Sequence, residues 1–316
     1  MTSQFRKQFL FQLHMSRAEL LHAMVGMNAE QLEQPLWDDY STRRVLPHIA
    51  LWEGFEAERL QLLIDGRLGE IAQTSVDERN AAWHRNSAEI TLDGGIAMLQ
   101  KERNGFLNVL ANAPDKFLQS TVKLGEREHF VMNAITYSIE HDDDHARDIQ
   151  AWRKANDAEA HSEGPRAILV AYLRATRKAL RALFDLIDGV DIAIDEWTPK
   201  DILAHIAGWE ALVLRSLQTN RAHDISDTDP INHRMAGEAA KQSVDEVWKT
   251  YADGRKAVVN YVESMSDAQL AQQFDNPESW SDSVYQWVRI FPEHDLEHAR
   301  ELYTAWLIKT RVKQAK

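Results

Sequence analysis

Six histidines fall into two sets with the same spacing: His48, His141 and His145 in the first half of the chain, and His205, His294 and His298 in the second. On an α-helix a four-residue step turns about 400°, so the pairs His141/His145 and His294/His298 each put two imidazoles on one face, a single turn apart. Two such rings can share one ion. A third imidazole from another helix, His48 or His205, completes a three-nitrogen site with positions open to water or substrate, the arrangement of catalytic rather than closed structural zinc. Imidazole suits zinc or nickel first, with manganese or iron after them. An isolated pair at this spacing is more often a surface accident. Here six of the 13 histidines occupy matched positions, whereas His14, His22, His84, His129, His161, His223 and His233 have no histidine counterpart.

The matching extends beyond the histidines. Residues 41–53 (STRRVLPHIALWE) align with 198–210 (TPKDILAHIAGWE) at an offset of 157, with six identities in thirteen. Residues 140–147 (EHDDDHAR) align with 293–300 (EHDLEHAR) at an offset of 153, with six identities in eight. Asn80 and Asn232, and Thr91 and Ser243, match at 152. Repetition in the same order at nearly constant offset reads as a tandem duplication of one unit of roughly 150 residues.

Helices must position these residues, because apolar residues recur at helical spacing almost throughout and strand-like alternation is nearly absent. The periodicity predicts helices over roughly 4–28, 41–64, 91–112 and 128–155, then 165–188, 198–219, 243–264 and 281–311. The fold class is therefore all-α. The polar stretch 156–165 reads as a linker, and Thr91 and Ser243 as N-caps of the third helix of each set. Four helices per unit bury their apolar faces most simply as two tandem four-helix bundles, 1–158 and 163–316. The connections 65–90 and 220–242 are long, as a bundle with a crossover requires.

Residues near the histidines have plainer expected roles. Trp52 and Trp209 follow the helix-two histidines by one turn and serve as core aromatics or walls of a pocket. Glu53 and Glu210 point away from those histidines and suit an interhelical salt bridge. In the run Asp142-Asp143-Asp144 solvation is expected; Asp142 and its match Asp295 could alternatively orient an imidazole. Arg147 and Arg300 fit salt bridges within the bundle, and Asn80 and Asn232 local hydrogen bonds. Pro292, two residues before His294 where the first copy has Ile139, is expected to make the two sites differ in geometry.

Composition narrows the chemistry. The 316 residues carry a net charge of −13 and no cysteine. A disulfide framework, thiolate ligands and a protein thiol nucleophile are thus excluded. The acidic balance and the lack of a basic cluster argue against a nucleic-acid partner. No apolar stretch approaches a membrane span and no signal-peptide core opens the chain, so a cytoplasmic protein acting on a small molecule is expected.

Residues 197–210 (WTPKDILAHIAGWE), followed by His294 and His298, resemble the DinB/YfiT-like metalloenzyme superfamily, which includes ClbS/DfsB-type proteins and thiol-dependent maleylpyruvate isomerase-like proteins. The second half matches that pattern better than the first, where Ser41-Thr42-Arg43-Arg44 replaces its opening and Pro47 precedes His48. The resemblance implies a four-helix bundle in which one helix-two and two helix-four histidines bind a divalent metal, in members that are often homodimers. A tandem copy could imitate that dimer as an intramolecular pseudo-dimer, possible in a monomer. A three-histidine metal could deliver hydroxide for hydrolysis, or activate a low-molecular-weight thiol for S-transfer, which a cysteine-free chain would take from a cosubstrate. The contrasting reading is a non-catalytic small-molecule binding or self-resistance module, in which metal or packing is structural.

Overall fold

The computed structural model describes residues 3–71, 74–124, 127–156, 158, 163–219, 228–273 and 283–314. Its contacts divide the chain into two compact units, Met1–Ala160 and His161–Lys316. Much of the expected linker 156–165 lies outside the described residues, as do His161 and His223.

In the first unit the elements run α1 (Gln4–Met24), α2 (Ala29–Glu33), β1 (Pro35–Trp37), β2 (Tyr40–Ser41), α3 (Thr42–Ile64), α4 (Val76–Asn86), α5 (Leu92–Asn112), α6 (Asp115–Leu118), β3 (Thr121–Leu124), β4 (Arg127–Phe130) and α7 (Asn133–Ala155), with a 3-10 turn at Leu68–Glu70. α1 packs against α7, and α3 against both α5 and α7. Leu13, Leu60, Phe106, Leu110, Val131 and Ile135 close one core cluster between them. Gly95 permits the close approach of α5 to α3: a β-carbon there would meet Leu46 Cβ at 3.0 Å and Pro47 Cδ at 3.4 Å, just before His48.

The second unit contains α8 (Arg166–Ile187), α9 (Pro199–Thr219), α10 (Thr228–Ala239), α11 (Val244–Glu263), α12 (Asp267–Leu270) and α13 (Val284–Gln314). α8 packs on α13 and α11, and α9 on α11, α10 and α13. Along α8 the buried Ile168, Leu169, Leu173, Leu180, Leu183 and Ile187 form an apolar stripe. Local chemistry sets the starts of these helices. Thr91 accepts from Gly94 N, and Ser243 forms a capping box with Glu246, both as their types predict.

All-α character holds, with two small additions. β1 pairs with β2 and β3 with β4 as antiparallel hairpins, and the second hairpin delays the start of α7 to Asn133, later than periodicity suggests. The long connections are themselves partly helical: α4 and α10 fill them and bring Asn80 and Asn232 against the neighbouring helices. Among the described residues no helix is long and apolar enough to cross a membrane.

Candidate metal centre

Each unit gathers its three predicted imidazoles at one point. In the first, His48 Nε2 on α3 lies 3.1 Å from His141 Nε2 on α7, which lies 3.0 Å from His145 Nε2. In the second, His205 Nε2 on α9 lies 3.0 Å from His294 Nε2 on α13, which is 2.9 Å from His298 Nε2. Within each triad the candidate ligand atoms all fall within 4.8 Å of one another. Although α13 runs through Pro292, the nitrogen separations of the two sites agree within 0.1 Å, so the expected difference in site geometry does not reach these contacts.

Carboxylates fix which nitrogen carries the proton. His145 Nδ1 faces Asp148 Oδ2 at 3.2 Å, and His298 Nδ1 faces Glu301 Oε2 at 2.8 Å. His205 Nδ1 faces Asn232 Oδ1 at 3.1 Å. Each of these acceptors holds the ring's N–H at Nδ1 and leaves a lone pair on Nε2. In the second unit two such lone pairs therefore converge on His294 Nε2, where a single proton could satisfy only one of them. A cation satisfies all three, so the donor set fits a metal. Nitrogens about 3.0 Å apart on metal–nitrogen bonds of ~2.0–2.1 Å subtend ~90–100° at the ion, leaving other positions open.

Burial, reinforced by neighbouring imidazoles, holds His48, His141, His205 and His294 neutral. It pulls His48, His141 and His294 down to about 3 and His205 to about 4. His145 is lowered as well, by burial outweighing Asp148. Neutral imidazole is the ligating form. The buried His48 Nδ1 has no hydrogen-bond partner among the described residues, in contrast to His205.

Behind the triads lie buried ion-pair clusters. In the first unit Arg17 binds Asp142 at 3.0 Å and Glu53 at 3.1 Å, while Arg103 binds Asp142 at 2.7 Å and also Glu53. Two cations meet two carboxylates. Asp142 is 0% exposed, which overturns the expectation that it is solvated. The reason is tertiary: it lies about 100° around α7 from His141, and that direction faces Arg17 and Arg103. These guanidiniums keep its carboxyl below the usual range against the opposing effect of burial. In the second unit Arg255 pairs with Glu210 and, at 2.7 Å, with Asp295, the one arginine among the described residues to bridge both, while the Tyr251 hydroxyl and Thr176 donate to Asp295 Oδ2 at 2.9 and 2.8 Å. One cation meets two carboxylates, and burial raises Glu210 to about 7. Glu53 and Glu210 thus make the expected interhelical bridges. Arg147 does not: it pairs with Asp144 on its own helix at the surface.

Trp52 combines both expected roles. Trp52 is 5% exposed, donates its indole N–H to Asn80 Oδ1 at 2.8 Å, and lines a cavity of about 420 Å³ that opens over the first triad. Trp209 makes the same bond to Asn232 at 2.9 Å. Asn80 and Asn232 therefore lock aromatic side chains beside the imidazoles, and Asn232 also orients His205; sequence matching found both residues, and the fold assigns these roles.

Aromatic residues around the histidines escaped sequence reasoning. The β1–β2 hairpin turns at Asp38, a left-handed residue (φ 43), and Asp195 (φ 53) turns the chain in the matching place before α9. Trp37 consequently stacks on His145 (5.4 Å, 9°), Tyr40 sets its edge to His48 (5.5 Å), and Trp197 does so to His205 (5.2 Å). Tyr137 stacks on His141 at 5.3 Å and 25°. The available signal was weak: Tyr137 lies one turn before His141 on the same face.

These features define a helical protein with candidate three-histidine metal centres. Residues 172–302, which include His205, His294 and His298, match the family model of the DinB superfamily. No curated protein and no solved structure matches the chain.

Proposed function

We propose that the chain is a divalent-metal-dependent enzyme acting on a small molecule, a thiol S-transferase or a hydrolase, built as two tandem DinB-like four-helix bundles (1–158 and 163–316) that arose by duplication. The observation that carries this reading is the convergence of three Nε2 atoms in each unit, 2.9–3.1 Å between neighbours. His48, His141 and His145 would hold one zinc or nickel ion, and His205, His294 and His298 another. Such an ion supplies Lewis acidity, which makes a water or a low-molecular-weight thiol nucleophilic at neutral pH.

The chain's own groups do the positioning. Asp148 and Glu301 hold protons on His145 and His298 Nδ1, directing the opposite lone pairs inward. Trp52, pinned by Asn80, walls the first cavity and keeps water from one side of it. The absence of cysteine means that a transferase must take its sulfur from a cosubstrate.

Metal analysis of untagged protein tests the reading, with about two ions per chain expected and about one after His205→Ala. Activity assays of the metal-loaded chain then compare thiol conjugation with ester and amide hydrolysis. Protein that takes up none of zinc, nickel, manganese and iron, or that retains full turnover after both His48→Ala and His205→Ala, excludes a metalloenzyme.

A further inference from the structure

The two triads match in their nitrogen separations but differ in the rings packed nearby. Around Trp52 the first unit places Trp83 at 5.1 Å, Phe55 at 5.8 Å and Tyr137 at 6.0 Å, all edge-on, with the Arg79 guanidinium 3.9 Å above the Phe55 ring. In the register of the matched segments the second unit has Met235, Leu212 and Ile290 at the positions of Trp83, Phe55 and Tyr137. Met235 lies directly on Gly208, beside Trp209: a β-carbon on that glycine would meet Met235 Sδ at 2.4 Å. Aliphatic and thioether groups thus stand where the first unit has rings.

We infer that the first unit's site takes a planar aromatic ligand, bound against the exposed ring of Tyr137 with its reacting substituent toward the three imidazoles. The inference rests on the small-molecule reading above and names the class of molecule. Tyr137 is 38% exposed and Val76 58% exposed, both on the cavity lining, so apolar surface is presented at its mouth. Aromatic groups favour offset or edge-on contact with another ring, and a cavity of about 420 Å³ accommodates a fused two-ring molecule. Without a metal ion the charged lining disfavours anions. Asp144, Asp148 and Arg147 sum to one net negative charge, and Arg147 already pairs with Asp144.

The test uses the full chain stripped of metal by chelator, with 2-naphthol and its saturated analogue decahydro-2-naphthol as probes in calorimetric titration. The analogue offers at least as much apolar area, so a preference for naphthol reports ring contact and not partitioning. Naphthol should bind about three- to tenfold more tightly. Tyr137→Ile, which installs the second unit's residue at an exposed position, should abolish the preference, and Tyr137→Phe should keep it. Equal affinities, no saturable binding of naphthol, or a preference that survives Tyr137→Ile overturns the inference. Metal titration of the same samples separates the two readings. A naphthol preference in protein that takes up none of zinc, nickel, manganese and iron sinks the metalloenzyme and leaves the aromatic site standing, whereas metal uptake without the preference does the reverse.

Discussion

The first unit surrounds its triad with rings and backs it with two arginines against two carboxylates; the second has one arginine against two carboxylates and aliphatic residues in place of several rings. Yet the imidazoles stand at the same separations in both. Geometry at the nitrogens is thus insensitive to how the buried charge is balanced, provided that each carboxylate finds donors. Arg17 supplies them in the first unit, and the Tyr251 hydroxyl with Thr176 in the second. A guanidinium and a phenol are not equivalent, however. The phenol donates a hydrogen bond without bringing charge, so the second cluster retains a surplus carboxylate, and burial drives Glu210 toward its protonated form.

The largest effects should come from the ligands. His48→Ala and His205→Ala should each lower bound metal by about one ion per chain while leaving helical circular dichroism intact. A chain that loses both ions on one substitution would mean that the sites are not independent.

Next come the buried arginines. Arg255→Met leaves two buried carboxylates without a cation and should cost about 3–5 kcal/mol in urea unfolding of the second unit. Arg17→Met should cost less, because Arg103 still holds both Glu53 and Asp142. Equal losses would show that the clusters are balanced alike after all.

Second-sphere acids follow. Glu301→Gln and Asp148→Asn should each weaken metal binding at their own site by ~10–100-fold, read from competition with a chelator. Asn232→Ala should lower affinity at the second site, whereas Asn80→Ala should leave the first unchanged, since His48 Nδ1 makes no bond to Asn80.

The last effect is on pH dependence. A carboxyl whose folded pKa lies above its ordinary value of 4.5 binds its proton more tightly when folded. Its contribution to stability is complete below about pH 4.5 and is lost as pH rises through about 7. Unfolding midpoints of the second unit measured between those values should therefore fall with pH on this account, and Glu210→Gln should flatten the trend. An unchanged slope in that variant would place the titrating group elsewhere.

Much of the site was legible because helical periodicity and matched spacing are properties of the chain alone. A four-residue interval puts two imidazoles on one face in any helix, so His141/His145 and His294/His298 could be paired without coordinates. Asp142 shows where that logic stops. Its helical angle was known, but whether that direction met water or Arg17 depended on the packing of α1 and α5 against α7 and α3. Tyr137 stops it in another way, as one aromatic among many until its ring is found on His141.

By itself, the sequence determined the helical class, the two matched trios and the lack of any protein thiol, since composition and residue intervals need no third dimension. Tertiary packing alone decided that the trios close to within 4.8 Å, that Glu210 and Asp142 sit in unlike charge surroundings, and that rings gather at one site more than at the other. Those outcomes depend on which faces of separate helices meet, and contacts between residues far apart in sequence leave no periodic trace along the chain.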